Sequence, residues 1–189
     1  MFLFHKPSQA EIETFVSRQR TEQFSYREVG ATAGMLPLRY TIDRNGTKLG
    51  QGAETFRVAT SALRLWVMFK LGWVDVFPAN APIEVGTTVG VLVNHFGFWS
   101  LNASRVVYVV KEPRSFGFAY GTLQDHAEKG EERFSVDWLE EDDCVYYNLL
   151  AFSQPRKWQA KLFPPLSRKL QKRFAVDSMA AMRSGTLGP

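Results

Sequence analysis

The feature that most limits what this chain can become is a change of period near Val74. Before it, apolar residues recur at helical spacing. After it they alternate. VGVLVNH (89–95), SRVVYVVKE (104–112), RSFGFAYGTL (114–123), ERFSVDW (132–138) and CVYYNLLAFS (144–153) each read as a strand. The connections, Pro78–Gly86, Phe96–Ser100, Lys111–Arg114, Gln124–Gly130 and Glu140–Asp143, are short and rich in turn formers. A parallel crossover needs a dozen or more residues, so these strands are predicted to be antiparallel neighbours. A sheet with one apolar face must bury it against something.

The cover comes from the flanking helices. Ser8-Gln-Ala-Glu11 is a capping-box pattern, and Ile12, Phe15, Val16 and Gln19 then follow helical spacing, which predicts a helix over 9–20. Asn45-Gly46 within alternating residues predicts a hairpin around 37–50. Residues 55–71 place Phe56, Ala59, Leu63, Trp66 and Val67 on one broad face, with Arg57, Ser61 and Arg64 in a narrow polar stripe and Gly72 at the end. Phe163-Pro-Pro-Leu opens a last helix, about 165–183, with Leu166, Leu170 and Phe174 at four-residue spacing. The expected fold class is α+β: a curved antiparallel sheet gripping a long C-terminal helix, with an N-terminal helical arm. The length of 189 residues suits one domain. It divides into an N-terminal helix and hairpin (1–50), a core (51–183) and a tail (184–189).

FSYREVGAT (24–32), GQGAETFRVATSALRLW (50–66), FGFAYGTLQDHAEKGEERF (116–134) and FSQPRKW (152–158) resemble uncharacterised protein family 0548, a domain-of-unknown-function family. The resemblance spans roughly residues 8–180. It implies no assigned activity and supplies no catalytic residues. The element order also resembles the START-like helix-grip superfamily. That likeness implies binding of lipids and other apolar ligands between sheet and C-terminal helix.

Aromatic residues make up 14% of the chain, which suits a large core or an aromatic-lined cavity. Trp66, Phe69, Tyr120, Tyr146, Leu170 and Phe174 are the lining candidates. Arg105 alternates with Val107 and Val109. Facing inward it would meet an anionic head group; facing outward, the favoured reading, it is a surface cation. The expected ligand is an apolar or amphipathic, lipid-like small molecule, bound without catalysis.

An alternative is a hydrolase- or cyclase-type enzyme using YGTLQDHAEKGEERF (120–134). There Thr122 would be the nucleophile, His126 the base and Glu131 or Glu132 the orienting carboxylate. A triad needs three side chains converging within hydrogen-bond distance, and a hairpin loop supplies nothing that enforces it. Tyr120 and the Gly117/Ala119/Gly121 face are the more informative features, because small residues in a strand mark close approach by something else.

His5, His95 and His126 are far apart, and the acids of 125–132 lack calcium-loop spacing, so no metal is expected. No phosphate-binding glycine motif precedes a helix, so no nucleotide cofactor is expected. Net charge is +4, and between Gln154 and Val176 lie Arg156, Lys157, Lys161, Arg168, Lys169, Lys172 and Arg173 with no acid. Arg168, Lys169, Lys172 and Arg173 form i,i+4 pairs. They are assigned to the outer side of the last helix, where they are either a solvated face or a weak contact for an anionic membrane surface; a second alternative is therefore a surface-binding module that uses this basic helix and has no cavity. Trp158 and Phe163 interleave with this segment, but nucleic acid is a poor fit because Phe163, Leu166 and Leu170 serve better as core. A single cysteine, Cys144, excludes an internal disulfide, and no long apolar run suits a signal or a span. A soluble, cytoplasmic protein is the expectation.

Overall fold

The computed structural model describes residues 1–95, 97–155 and 164–187. Arg156, Lys157, Trp158, Lys161 and Phe163 lie outside the described residues. Among the described residues, the elements are β1 (Phe2–Leu3), α1 (Gln9–Gln19), β2 (Thr41–Gln51), α2 (Gly52–Arg64), β3 (Val74–Phe77), β4 (Thr88–His95), β5 (Phe98–Glu112), β6 (Ser115–Thr122), β7 (Glu128–Trp138), β8 (Cys144–Pro155) and α3 (Pro164–Leu187). The strands form one antiparallel sheet in the order β2-β8-β7-β6-β5-β4-β3. β6 stops at the Ser104–Thr122 pair, and β1 takes the vacated edge of β5, pairing Phe2 with Ser100.

α1 begins as its capping box predicts, with Ser8 accepting from the Glu11 amide while Glu11 accepts from the Ser8 amide at 2.7 Å. It packs on the convex face of the sheet through Ile12, Phe15 and Val16, against Leu92, Leu101, Ala103 and Leu123. The concave face carries the larger core, in which Leu63, Trp66 and Phe69 meet Phe118, Phe134 and Tyr147. Both faces of the sheet are therefore covered.

Two sequence expectations are corrected. No hairpin forms around Asn45-Gly46. β2 runs straight through it, paired with β8 from Thr41↔Ser153 to Gln51↔Cys144. Gly46 serves close cross-strand packing instead: a Cβ there would lie 2.5 Å from Asn148 Oδ1. Nor does one helix fill 55–71. α2 ends at Arg64, Trp66 takes a left-handed conformation with φ of 55°, and a 3₁₀ turn follows over Val67–Phe69. That conformation is costly for a bulky residue. It is held by the fully buried indole, which donates to Ala81 O at 2.8 Å and meets the Phe118 ring edge-on at 4.9 Å.

The acid-rich loop expected over 124–130 is also shorter than its composition suggests. β7 already starts at Glu128, and Gly130 pairs with Ser153 while its amide donates to Thr122 Oγ1 at 2.9 Å. The small-residue face of β6 is explained by what lies on it. A Cβ at Gly121 would collide with the Tyr26 ring, and one at Gly117 would lie 2.6 Å from Phe134 O and 2.8 Å from Ser135 Cβ. The segment after α1 crosses the convex face at this point.

Candidate functional site

The concave face, the 3₁₀ turn and α3 enclose a cavity of about 780 Å³. This is within the range of small-molecule sites. Its wall is mainly apolar, with Phe69, Trp73, Val93, Leu149, Leu170 and Phe174 among the lining residues. α3 is tied over it by directed contacts. Arg168 donates through both terminal nitrogens to the Asp43 carboxylate at 2.6 and 2.7 Å. Gln171 Nε2 donates to Ser153 Oγ at 3.2 Å. Trp73 Nε1 donates to Asp177 Oδ2 at 2.8 Å, and the Tyr147 hydroxyl meets Ser178 Oγ at 2.7 Å.

The register of the sheet builds a polar row across the concave face. Asp43 pairs with Ala151, Ala151 with Glu132, and Glu132 with Tyr120. Tyr120 Oη donates to Glu132 Oε2 at 3.1 Å. The rings of Phe69 and Phe134 pack on Tyr120 with centroids at 6.0 and 5.4 Å. Burial pushes the Glu132 acid up to about 7; the Tyr120 hydrogen bond opposes this and the Asp43 charge adds to it. Burial likewise holds the Tyr120 phenol well above its ordinary value, so it remains a neutral donor. A second polar group lies near β1. His95 Nε2 and Asn102 Nδ2 both bond Ser100 Oγ, at 2.7 and 3.0 Å, and Ala127 N donates to Asn102 Oδ1 at 3.3 Å. Burial lowers the His95 pKa, so that ring is neutral near pH 7.

Of the candidates read from the sequence, Phe69, Tyr120, Leu170 and Phe174 are on the cavity wall. Trp66 is not: it is packed solid beneath the wall. Tyr146 belongs to the other face of β8, where its hydroxyl donates to Asp142 Oδ2 at 3.2 Å. Its neighbour Tyr147 points inward. Arg105 is on the convex face, donating to Gln19 O and Arg20 O at 2.8 Å each, where it satisfies the orphan carbonyls at the end of α1. It therefore reaches neither the cavity nor a head group in it.

The structure gives the three triad candidates other partners. Thr122 and His126 both line the cavity. The Thr122 hydroxyl, however, is engaged by Ser25 Oγ at 2.6 Å and by the Gly130 backbone, and His126 Nδ1 accepts from the Glu128 amide at 3.0 Å. The Glu131 carboxylate serves the convex face. Oε2 accepts from Tyr26 Oη and Gly30 N, both at 2.7 Å; Oε1 accepts from Thr32 N at 3.0 Å and from Thr32 Oγ1. It anchors the segment that follows α1. Successive residues of a strand point to opposite faces, so the Glu132 side chain faces the cavity while the Glu131 carboxylate is turned to Tyr26, Gly30 and Thr32. That assignment was available from the alternation that joins Glu132 to Phe134 and Val136.

The basic set on α3 does not form one free patch. Arg168 turns inward to Asp43; Arg173 lies 4.3 Å over the Trp73 ring and pairs with Asp177 at 3.3 Å, while Lys169 and Lys172 are exposed. Among the described residues no group of His, Cys, Asp and Glu is arranged to hold a metal. No helix among them is long and apolar enough to cross a membrane.

A UPF0548 protein of Dictyostelium discoideum is 38% identical over 203 aligned positions, covering 96% of this chain and 94% of its own length. One from Deinococcus radiodurans is 36% identical, with 93% of each chain covered. Among solved structures, a hypothetical protein from Helicobacter pylori superposes with a TM-score of 0.56 at 10% identity, over 88% of this chain and 97% of its own. The Zhui aromatase/cyclase from Streptomyces gives a TM-score of 0.50 at 10% identity, over 78% of this chain and 94% of its own. At such identities the likeness is one of fold, and it is the helix-grip fold. The family profile described as a domain of unknown function (DUF1990) matches residues 25–181. The chain therefore belongs to the UPF0548 (DUF1990) family.

Proposed function

We propose that this protein binds an apolar or amphipathic small molecule in the cavity between the concave sheet face and α3. The observation that carries this reading is the cavity itself: about 780 Å³, walled chiefly by aromatic and aliphatic side chains and bordered by a helix tied at four points. Removing apolar ligand surface from water would supply most of the affinity, at about 25 cal/mol per Å². The few polar groups on the wall would set orientation. The Zhui neighbour, an aromatase/cyclase, has the same fold with chemistry attached; fold does not carry function across, and binding alone is the reading adopted here.

The test is native mass spectrometry of gently purified protein, with uptake of an environment-sensitive apolar fluorophore. A bound small molecule, and uptake that Leu170→Trp abolishes by filling the cavity, is the expected result. An empty protein with no uptake, or uptake insensitive to Leu170→Trp, would overturn it.

A further inference from the structure

We infer that the cavity selects ligands whose polar end is a protonated amine, seated on Glu132 among the aromatic rings. The inference rests on the binding reading above and specifies its ligand class. The geometry begins with Glu132. Its Oε2 is used by Tyr120, while among the described residues no protein donor reaches Oε1. The side chain retains accessible surface and belongs to the cavity wall, so that surface faces the cavity interior. A buried carboxylate with one free oxygen is costly unless it is paired. A ligand cation supplies the missing partner.

The surroundings favour positive charge. Asp43 stands in the same row across the sheet. Tyr120, Phe69, Phe134 and Phe174 form a connected cluster of rings beside Glu132, with centroids 5.1–6.5 Å apart, and aromatic faces attract cations. Among the described residues, three nearby cations are engaged by other groups. Arg168 is held by Asp43, Arg173 by Asp177 and the Trp73 ring, and the Lys129 ammonium lies over the Tyr40 ring, 5.6 Å from its centroid. Lys172 is on the exposed rim. A carboxylate or phosphate head group placed beside Glu132 would meet like charge, and among the described residues the guanidinium nearest the row, that of Arg168, is already paired with Asp43.

The experiment compares dodecylamine, dodecanol and dodecanoate, each below its aggregation limit, by displacement of an apolar fluorophore from wild type and from Glu132→Gln. Glutamine keeps the side-chain shape and an acceptor for Tyr120; circular dichroism and an unchanged dodecanol affinity establish that the variant is folded. The amine should bind wild type at pH 8 at least roughly tenfold more tightly than dodecanoate, the size expected of one charge-assisted hydrogen bond. Glu132→Gln should remove that preference. Amine affinity for wild type should rise between pH 6 and 8 as Glu132 ionises, and stay flat in the variant. Dodecanoate binding as tightly as the amine, or an amine affinity unmoved by Glu132→Gln, overturns the inference while leaving the cavity reading intact if dodecanol still binds. Failure of all three probes to bind would overturn both.

Discussion

Glu131 offers the sharpest test of how this sheet is held. Its carboxylate receives four hydrogen bonds from Tyr26, Gly30 and Thr32, and it is 2% exposed. Glu131→Gln preserves volume but converts one acceptor oxygen into an NH₂ group. Whichever way the amide is turned, one backbone N–H, of Gly30 or of Thr32, then faces another donor, while the hydroxyl on that side must turn round to accept from the NH₂. A hydrogen bond to a charged group contributes about 1.5–3 kcal/mol net and a neutral one about 0.5–1.5, so losing one and reducing three to neutral bonds costs about 4–7 kcal/mol. Removing a buried charge recovers part of its desolvation, which brings the expected loss to about 3 kcal/mol. In a chain of this size 1 kcal/mol shifts Tm by about 2–4 °C, so Tm should fall by about 6–12 °C. Urea titration followed by tryptophan fluorescence measures the loss, with an unchanged m-value indicating that the native state is otherwise intact. Residues 21–40, which the carboxylate anchors, should also become the first site of limited proteolysis. A loss below about 1 kcal/mol, with no new cleavage there, would refute the anchoring role.

Three further outcomes follow from named contacts. Glu132 holds its proton in the folded protein up to about pH 7, against 4.5 ordinarily, so native protein binds the extra proton and stability falls as pH rises from about 4.5 to 7. At about 1.4 kcal/mol per unit, Glu132→Gln should be more stable than wild type by about 3–4 kcal/mol at pH 8 and equal to it near pH 4; a pH-independent difference in urea midpoint would contradict this. Gly121→Ala drives a methyl group into the Tyr26 ring and should cost about 1–3 kcal/mol, much less when Tyr26 is also alanine, which a thermal double-mutant cycle reads directly. The partly exposed Arg168–Asp43 pair should show a coupling of only about 1 kcal/mol in a cycle of Arg168→Ala and Asp43→Ala, diminished by 0.5 M salt; a coupling near zero would mean that it does not hold α3 down.

Features that depend on local period were legible in the residues alone. Alternation separated Tyr146 from Tyr147, Glu131 from Glu132, and the small face of β6 from its aromatic face. Short connections required antiparallel neighbours, and the capping box at Ser8 set the start of α1. Long words shared with a family also identified the chain's relatives. Tertiary structure decided which side of each alternation is inside. Tyr147 is the inward residue because Ser178 of α3 lies over it, and Arg105 is turned away because the end of α1 presents carbonyls to it. The Asn45-Gly46 turn signal lost to a strand partner about a hundred residues away, and the helical run through Trp66 broke where its indole found a buried site. The physical reason is the same in each case. A period is a property of neighbouring residues, whereas a face becomes interior only when a distant element covers it.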